Sequence, residues 1–211
     1  MKKLITRKTL SMALVFALLL NIVGILPAYA SLADLRQAYT DLDTAGSAFK
    51  STPVVGEVYW NFDEGTGLTA ADSWGKNNGT INNAAWTNEG KKHGALTFNG
   101  TNSYVDIGGE DITTPWTASM WVYKNASTSS STLLSSSKTV LKLEQYPDTK
   151  KVGITKIGVD DYTFNYEVPE KTWVNLTFTG DSSRTSLYVN GELKDTLNIS
   201  VNCPLSMIGA I

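Results

Sequence analysis

Apolar residues in this chain recur at every second position, in short runs separated by glycine, asparagine and aspartate, and that period restricts the fold more than any other feature. Val174, Leu176 and Phe178 alternate with Asn175, Thr177 and Thr179. Val58, Trp60 and Phe62 alternate with Glu57, Tyr59 and Asn61, Leu96 and Phe98 with Ala95 and Thr97, and Val105 and Ile107 with Tyr104 and Asp106. Successive side chains on a strand point to opposite faces, so each run offers one face to a core and one to water, as antiparallel sheets require. Asn190-Gly191 separates Ser186-Leu-Tyr-Val from Glu192-Leu-Lys-Asp. A two-residue hairpin turn needs positive φ at both central positions, which this pair supplies. Many short strands with frequent turns predict an all-β, antiparallel jelly-roll sandwich.

The first thirty residues follow a different rule. Lys2, Lys3, Arg7 and Lys8 precede an apolar stretch from Met12 to Leu26, and Pro27-Ala-Tyr-Ala30 ends it with small residues at the positions a signal peptidase reads. Asn21 and Gly24 interrupt the apolar run, so a cleaved secretory signal fits residues 1–30 better than a membrane anchor. No later segment is apolar enough to span a bilayer after cleavage. Leu32, Leu35, Ala38 and Leu42 then recur at helical spacing, which predicts a short helix or linker over 31–53. The sandwich is expected over 54–211. The Ser/Thr-rich tract Asn125 to Ser131 reads as a loop.

Charge and cysteine narrow the function classes. The chain has 18 Lys and Arg against 20 Asp and Glu. Removing residues 1–30, with four basic residues and no acidic ones, leaves 14 against 20. Nucleic acid and anionic membranes reward clustered Lys and Arg, so an acidic secreted domain is not expected to bind either. Cys203 is the single cysteine, which excludes an intrachain disulfide and predicts a buried thiol or an intermolecular bridge.

Trp60-Asn-Phe-Asp-Glu-Gly-Thr-Gly, followed by Ala71-Asp-Ser-Trp-Gly and Asn78-Gly-Thr, resembles the opening of laminin-G-like jelly-roll domains of the concanavalin A-like type. The resemblance continues through Gly94-Ala-Leu-Thr-Phe-Asn-Gly, Tyr104-Val-Asp-Ile and Trp116-Thr-Ala-Ser-Met-Trp-Val to Trp173-Val-Asn-Leu-Thr-Phe and Leu187-Tyr-Val-Asn-Gly. Members of that family carry one more strand, which returns beside the N-terminal one. The sequence ends at Ile211 without it, so the sandwich is expected to lack its last strand, as a truncated piece of a longer protein. Leu141 to Tyr146, Val152 to Lys156 and Asp161 to Tyr166 resemble accessory modules of bacterial β-N-acetylhexosaminidases. That resemblance implies a non-catalytic module beside a downstream catalytic domain, with an extracellular, N-acetylhexosamine-containing glycan as partner. The alternative it leaves is a structural or protein-adhesion domain that binds no glycan.

Catalysis has no constellation to carry it. Glycoside hydrolysis needs two carboxyl groups set across the bond. Asp106 has no glutamate two residues before it, and Asp63-Glu64 and Asp160-Asp161 are neighbours that a strand would turn to opposite faces. His93 is the single histidine, which argues against a His/Cys zinc site and a Ser-His-Asp triad. Structural Ca²⁺ is the one metal the pattern admits. The laminin-G-like resemblance implies such an ion, and Asp63 and Asp72 lie in turns where backbone carbonyls could join them. The same aspartates also suit capping their turns. Sugar binding would use aromatic faces with a few polar groups. Trp60, Trp121 and Trp173 sit in strand patterns and are expected in the core, whereas Trp74, Trp86 and Trp116 lie near turns. Trp74, Tyr146 and Tyr162 are the candidate carbohydrate-binding residues.

Overall fold

A computed structural model describes residues 57–127 and 130–209. The chain divides into two units, Met1–Val55 and Gly56–Ile211, and every described residue belongs to the second. The expected signal peptide and the helix or linker that follows it lie outside the described residues. No helix among the described residues is long and apolar enough to cross a membrane.

The fold is all-β. In chain order the strands are β1 (Thr69–Ala70), β2 (Gly79–Asn82), β3 (Ala85–Thr87), β4 (Ala95–Thr97), β5 (Tyr104–Asp106), β6 (Trp116–Tyr123) and β7 (Ser131–Ser135). They continue as β8 (Thr139–Glu144), β9 (Lys151–Lys156), β10 (Asp160–Glu167), β11 (Trp173–Gly180), β12 (Thr185–Val189), β13 (Glu192–Leu197) and β14 (Met207–Ile208). One sheet runs β1-β2-β5-β14-β7-β8-β9-β10, a second runs β13-β12-β11-β6, and β3 and β4 form a separate ribbon. Every ladder is antiparallel. The strand β14 enters the large sheet between β5 and β7, which ties the early strands to the middle ones.

The period-two pattern determines which residues meet. Along β11 the burial alternates without a break, with Val174, Leu176, Phe178 and Gly180 inward. They meet Leu141 of β8, Ile154 of β9 and Phe164 of β10 from the large sheet, and Leu187 of β12. The Phe164 and Phe178 rings lie 5.9 Å apart at 57°, a tilted contact between the two sheets. A second cluster under the ribbon gathers Ala70, Ile81 and Val105 with Trp60, Phe62, Trp86 and Phe98. At the hairpin, Asn190 and Gly191 adopt φ of 51° and 87°, the left-handed pair the sequence predicts.

Two expectations change. Residues 57–62 form no ladder, only a single bridge between Trp60 and Asp72, because Phe62 turns to φ 57° and breaks the extended run. Trp116, expected near a turn, is buried, and its Nε1–H donates to the Val201 carbonyl at 2.7 Å. It packs against Gly180, directly opposite on β11, where a Cβ would come within 2.3 Å of Nε1. Cys203 is buried, and burial pushes its thiol up to about 12, with Asp111 adding to the shift. A thiol held that far above neutral pH stays protonated and inert, so the buried structural role stands and an intermolecular bridge has no accessible sulfur.

One feature of the core is polar. Lys124 follows β6 and points inward, where its ammonium meets Glu144 at the end of β8 at 3.2 Å, with side-chain exposures of 2% and 0%. It also donates to the Ser127 hydroxyl at 3.4 Å and lies 3.9 Å from Glu167. This ion pair joins the end of β6 to the large sheet. A charge so enclosed is tolerated only because its partner and hydrogen bonds replace the water it has lost.

Candidate functional site

The outward face of the four-stranded sheet follows from the strand β6. Ala118, Met120 and Val122 pack toward the core, so Thr117, Ser119, Trp121 and Tyr123 face away from it. On β11, Trp173, Asn175 and Thr177 face the same way, and the register sets Trp121 opposite Asn175 and Tyr123 opposite Trp173. Trp121 is 46% exposed, and the Tyr123 and Trp173 rings pack 5.4 Å apart at 52°. Sequence reasoning places Trp121 and Trp173 in the core; the structure turns both outward. Trp60 is half-buried and donates Nε1–H to the Asn77 carbonyl.

Polar groups flank the rings. The Asn175 amide donates from Nδ2 to Ser119 Oγ and to the Met120 carbonyl, and its Oδ1 accepts from the Thr177 hydroxyl. Asn190 is fastened beside it, because the Asn175 N–H donates to Asn190 Oδ1 at 3.0 Å and the Asn190 N–H donates to the Asn175 carbonyl at 2.9 Å. Lys91, from the loop joining β3 and β4, places its ammonium 4.7 Å from the centre of the Trp121 ring. Lys91, Trp121, Trp173, Asn175 and Asn190 enclose an open groove of about 400 Å³. Fixed aromatic surface with a few oriented amides is how proteins bind small polar ligands.

The residues singled out from sequence fall in separate places. Trp74 is 68% exposed and pairs with Tyr59, ring centres 5.1 Å apart at 34°. Tyr146 is partly exposed and donates its hydroxyl to Asp161, which also accepts from the Thr155 hydroxyl. Tyr162 stands opposite the buried Ile154, while Asp161 stands opposite Thr155. Tyr146 and Tyr162 therefore lie on opposite faces of the large sheet and share no site. None of the three lines the groove.

Asp72 is nearly buried and is saturated with donors. Its Oδ1 accepts from the Tyr59 and Trp74 N–H groups, and its Oδ2 from the Asn77 N–H and Nδ2. Each carboxylate oxygen has two lone pairs, and all four are used. Asp63 accepts the Gly94 N–H through Oδ1 at 2.9 Å, which anchors the end of the loop carrying Lys91. Among the described residues no three acidic, histidine or cysteine side chains gather closely enough to hold a metal. In this structure Asp72 anchors a turn and Asp63 anchors a loop end.

These carboxylates set the response to acid. Burial alone would raise the Asp72 carboxyl, but the hydrogen bonds from Tyr59, Trp74 and Asn77 outweigh it and hold it below its ordinary value. The Thr155 hydroxyl, then the Tyr146 hydroxyl, lower Asp161. The Ser183 N–H and hydroxyl bring Asp181 to about 2. A group depressed in the folded state stabilises it above the unfolded value, near 4 for aspartate, and loses that contribution as pH falls toward the folded value. The thermal midpoint is expected to hold between about pH 7 and 5 and to fall between about pH 4 and 2. A midpoint constant down to pH 2 in a thermal scan series would contradict this.

Comparison with known proteins places this geometry. The solved structure of Domain 4 of AbnA, a GH43 extracellular arabinanase from Geobacillus stearothermophilus, in complex with arabinotriose, superposes with a TM-score of 0.56. It is 19% identical and covers 72% of this chain and 79% of that one, which establishes a shared fold. No curated protein matches the chain. The family described as the Concanavalin A-like lectin/glucanases superfamily matches at residues 99–207, from the turn before β5 to the first residue of β14. A match over more than half of the chain, on an antiparallel sandwich of this topology, makes the chain a member of the laminin-G family within the Concanavalin A-like lectin/glucanases superfamily.

Proposed function

We propose that this chain is a secreted, non-catalytic module that binds a glycan and serves as an accessory domain of a glycoside hydrolase. The observation that carries the reading is the outward face of β6 and β11, where Trp121 and the Tyr123–Trp173 pair stand beside two mutually fastened asparagines. A sugar ring has an apolar face and a rim of hydroxyls, which such a surface complements. The groove carries no carboxylate among its lining residues, whereas hydrolysis requires two. The shared fold with a domain of an extracellular arabinanase supports the accessory role. Secretion rests on the N-terminal signal pattern of residues 1–30. A β-N-acetylhexosaminidase as the parent enzyme, and N-acetylhexosamine in the ligand, rest on the middle segments from Leu141 to Tyr166.

Affinity electrophoresis of the secreted chain through gels containing soluble polysaccharides tests the reading. At least one polysaccharide is expected to retard the wild type, with retardation preserved in Trp74→Ala. No retardation in any gel, together with no signal on a glycan array, removes the proposal. Retardation lost in Trp74→Ala moves the site to the Tyr59–Trp74 pair.

A further inference from the structure

Building on the reading of this face as a glycan site, we infer that the Trp121 groove selects a carboxylated sugar, a hexuronic acid unit, and that Lys91 is the residue that reads it. Of the five residues lining the groove, Lys91 alone is charged. It makes no ion pair among the described residues. Asn175 Oδ1 accepts the Thr177 hydroxyl and Asn190 Oδ1 accepts the Asn175 N–H, so each oxygen keeps one lone pair for a sugar hydroxyl. Asn190 Nδ2 has no hydrogen-bond partner among the described residues and adds a donor. The amides therefore suit neutral hydroxyls, and the ammonium is the one group of the lining that asks for an opposite charge. On a sugar, a carboxylate is the anionic acceptor that answers it.

The loop presents Lys91 in place. The Gly90 N–H donates to the His93 carbonyl at 3.1 Å, and Gly94 is anchored on Asp63, so both ends of the loop are held. The ammonium stands over the Trp121 ring, a weak contact at an exposed site. A sugar stacking on that ring shifts the flexible lysine aside, and a carboxylate projecting from the sugar's rim offers the ammonium a stronger partner than the ring did. The secreted chain is acidic as a whole, so long-range attraction does not explain the selection and contact at this one position does.

The test uses the secreted chain with hyaluronan and polygalacturonate, each beside its carboxyl-reduced counterpart, in titration calorimetry at two salt concentrations. The wild type is expected to bind at least one carboxylated polymer about tenfold or more tighter than its reduced form, the size of one charge-assisted hydrogen bond. Lys91→Gln is expected to abolish that preference, so that the carboxylated and the reduced polymer bind alike. Equal binding of both forms by the wild type, or a preference that survives in Lys91→Gln, overturns the inference. A carboxyl-reduced chondroitin sulfate bound as tightly as the carboxylated polymers shows selection for any anion and also overturns it. Binding of neutral polysaccharides alone defeats the inference and leaves the glycan-binding face standing. Binding of none defeats both.

Discussion

Lys124→Met is expected to destabilise the domain by about 3–5 kcal/mol, because it removes the cation beside a fully buried carboxylate. The methionine side chain fills similar space, so the loss is electrostatic rather than a cavity. Glu144 then faces a low-dielectric interior without the ammonium 3.2 Å away, and Ser127 loses a donor to its hydroxyl. The double variant Lys124→Met/Glu144→Leu is expected to regain most of that stability, since an apolar pair of similar volume needs no desolvated charge. Urea denaturation of the three proteins checks this, and a single variant within about 1 kcal/mol of wild type would refute it. The consequence reaches the groove. Lys124 directly follows Tyr123, so the ion pair holds the end of the strand that carries Trp121 and Tyr123 outward.

Trp121→Ala is expected to weaken glycan binding by about 30-fold or more, the loss of roughly 2 kcal/mol that marks an aromatic anchor at the centre of a contact surface. Trp121 contributes the most open ring of the groove, and nothing beside it replaces that area, because the Tyr123 and Trp173 rings pack on each other. The same substitution should change stability by less than about 1 kcal/mol, since Trp121 lies outside the core and nearly half of it is exposed. Calorimetric titration with the retarding polysaccharide, paired with a thermal scan, separates the two quantities. Unchanged affinity with an intact fold would place the ligand elsewhere.

Parity along the strands explains what could be read from the sequence and what could not. On β11 every inward position is apolar or glycine and every outward one except Trp173 is polar, so the pattern had a single solution. On β6 tryptophan occurs in both phases, Trp116 inward and Trp121 outward, and hydrophobicity alone misassigns the second. The neighbours held the answer. Thr117 and Ser119 share the parity of Trp121, and Asn175 and Thr177 share that of Trp173. The same counting turns Lys124 inward, in phase with Ala118, Met120 and Val122. Its partner Glu144 escaped because β7 and β8 slip in register between Ser131 and Thr132, which breaks the count just before the strand ends. Residues 57–62 kept their alternating pattern without a ladder because a left-handed Phe62 cannot be anticipated from a bulky aromatic. Lys91 was out of reach for a different reason: its loop meets the Trp121 face only through the tertiary fold.

Asn190 belongs to the hairpin and to the groove at once, and the two duties ask for different atoms. The turn needs a residue at ease with φ 51°, while the clamp on Asn175 needs only the side-chain oxygen. Aspartate meets both conditions and differs at the remaining atom, exchanging an amide donor for a negative charge. Position 190 is thus a place where ligand preference can be rewritten independently of the scaffold, with Asn and Asp as its two settings.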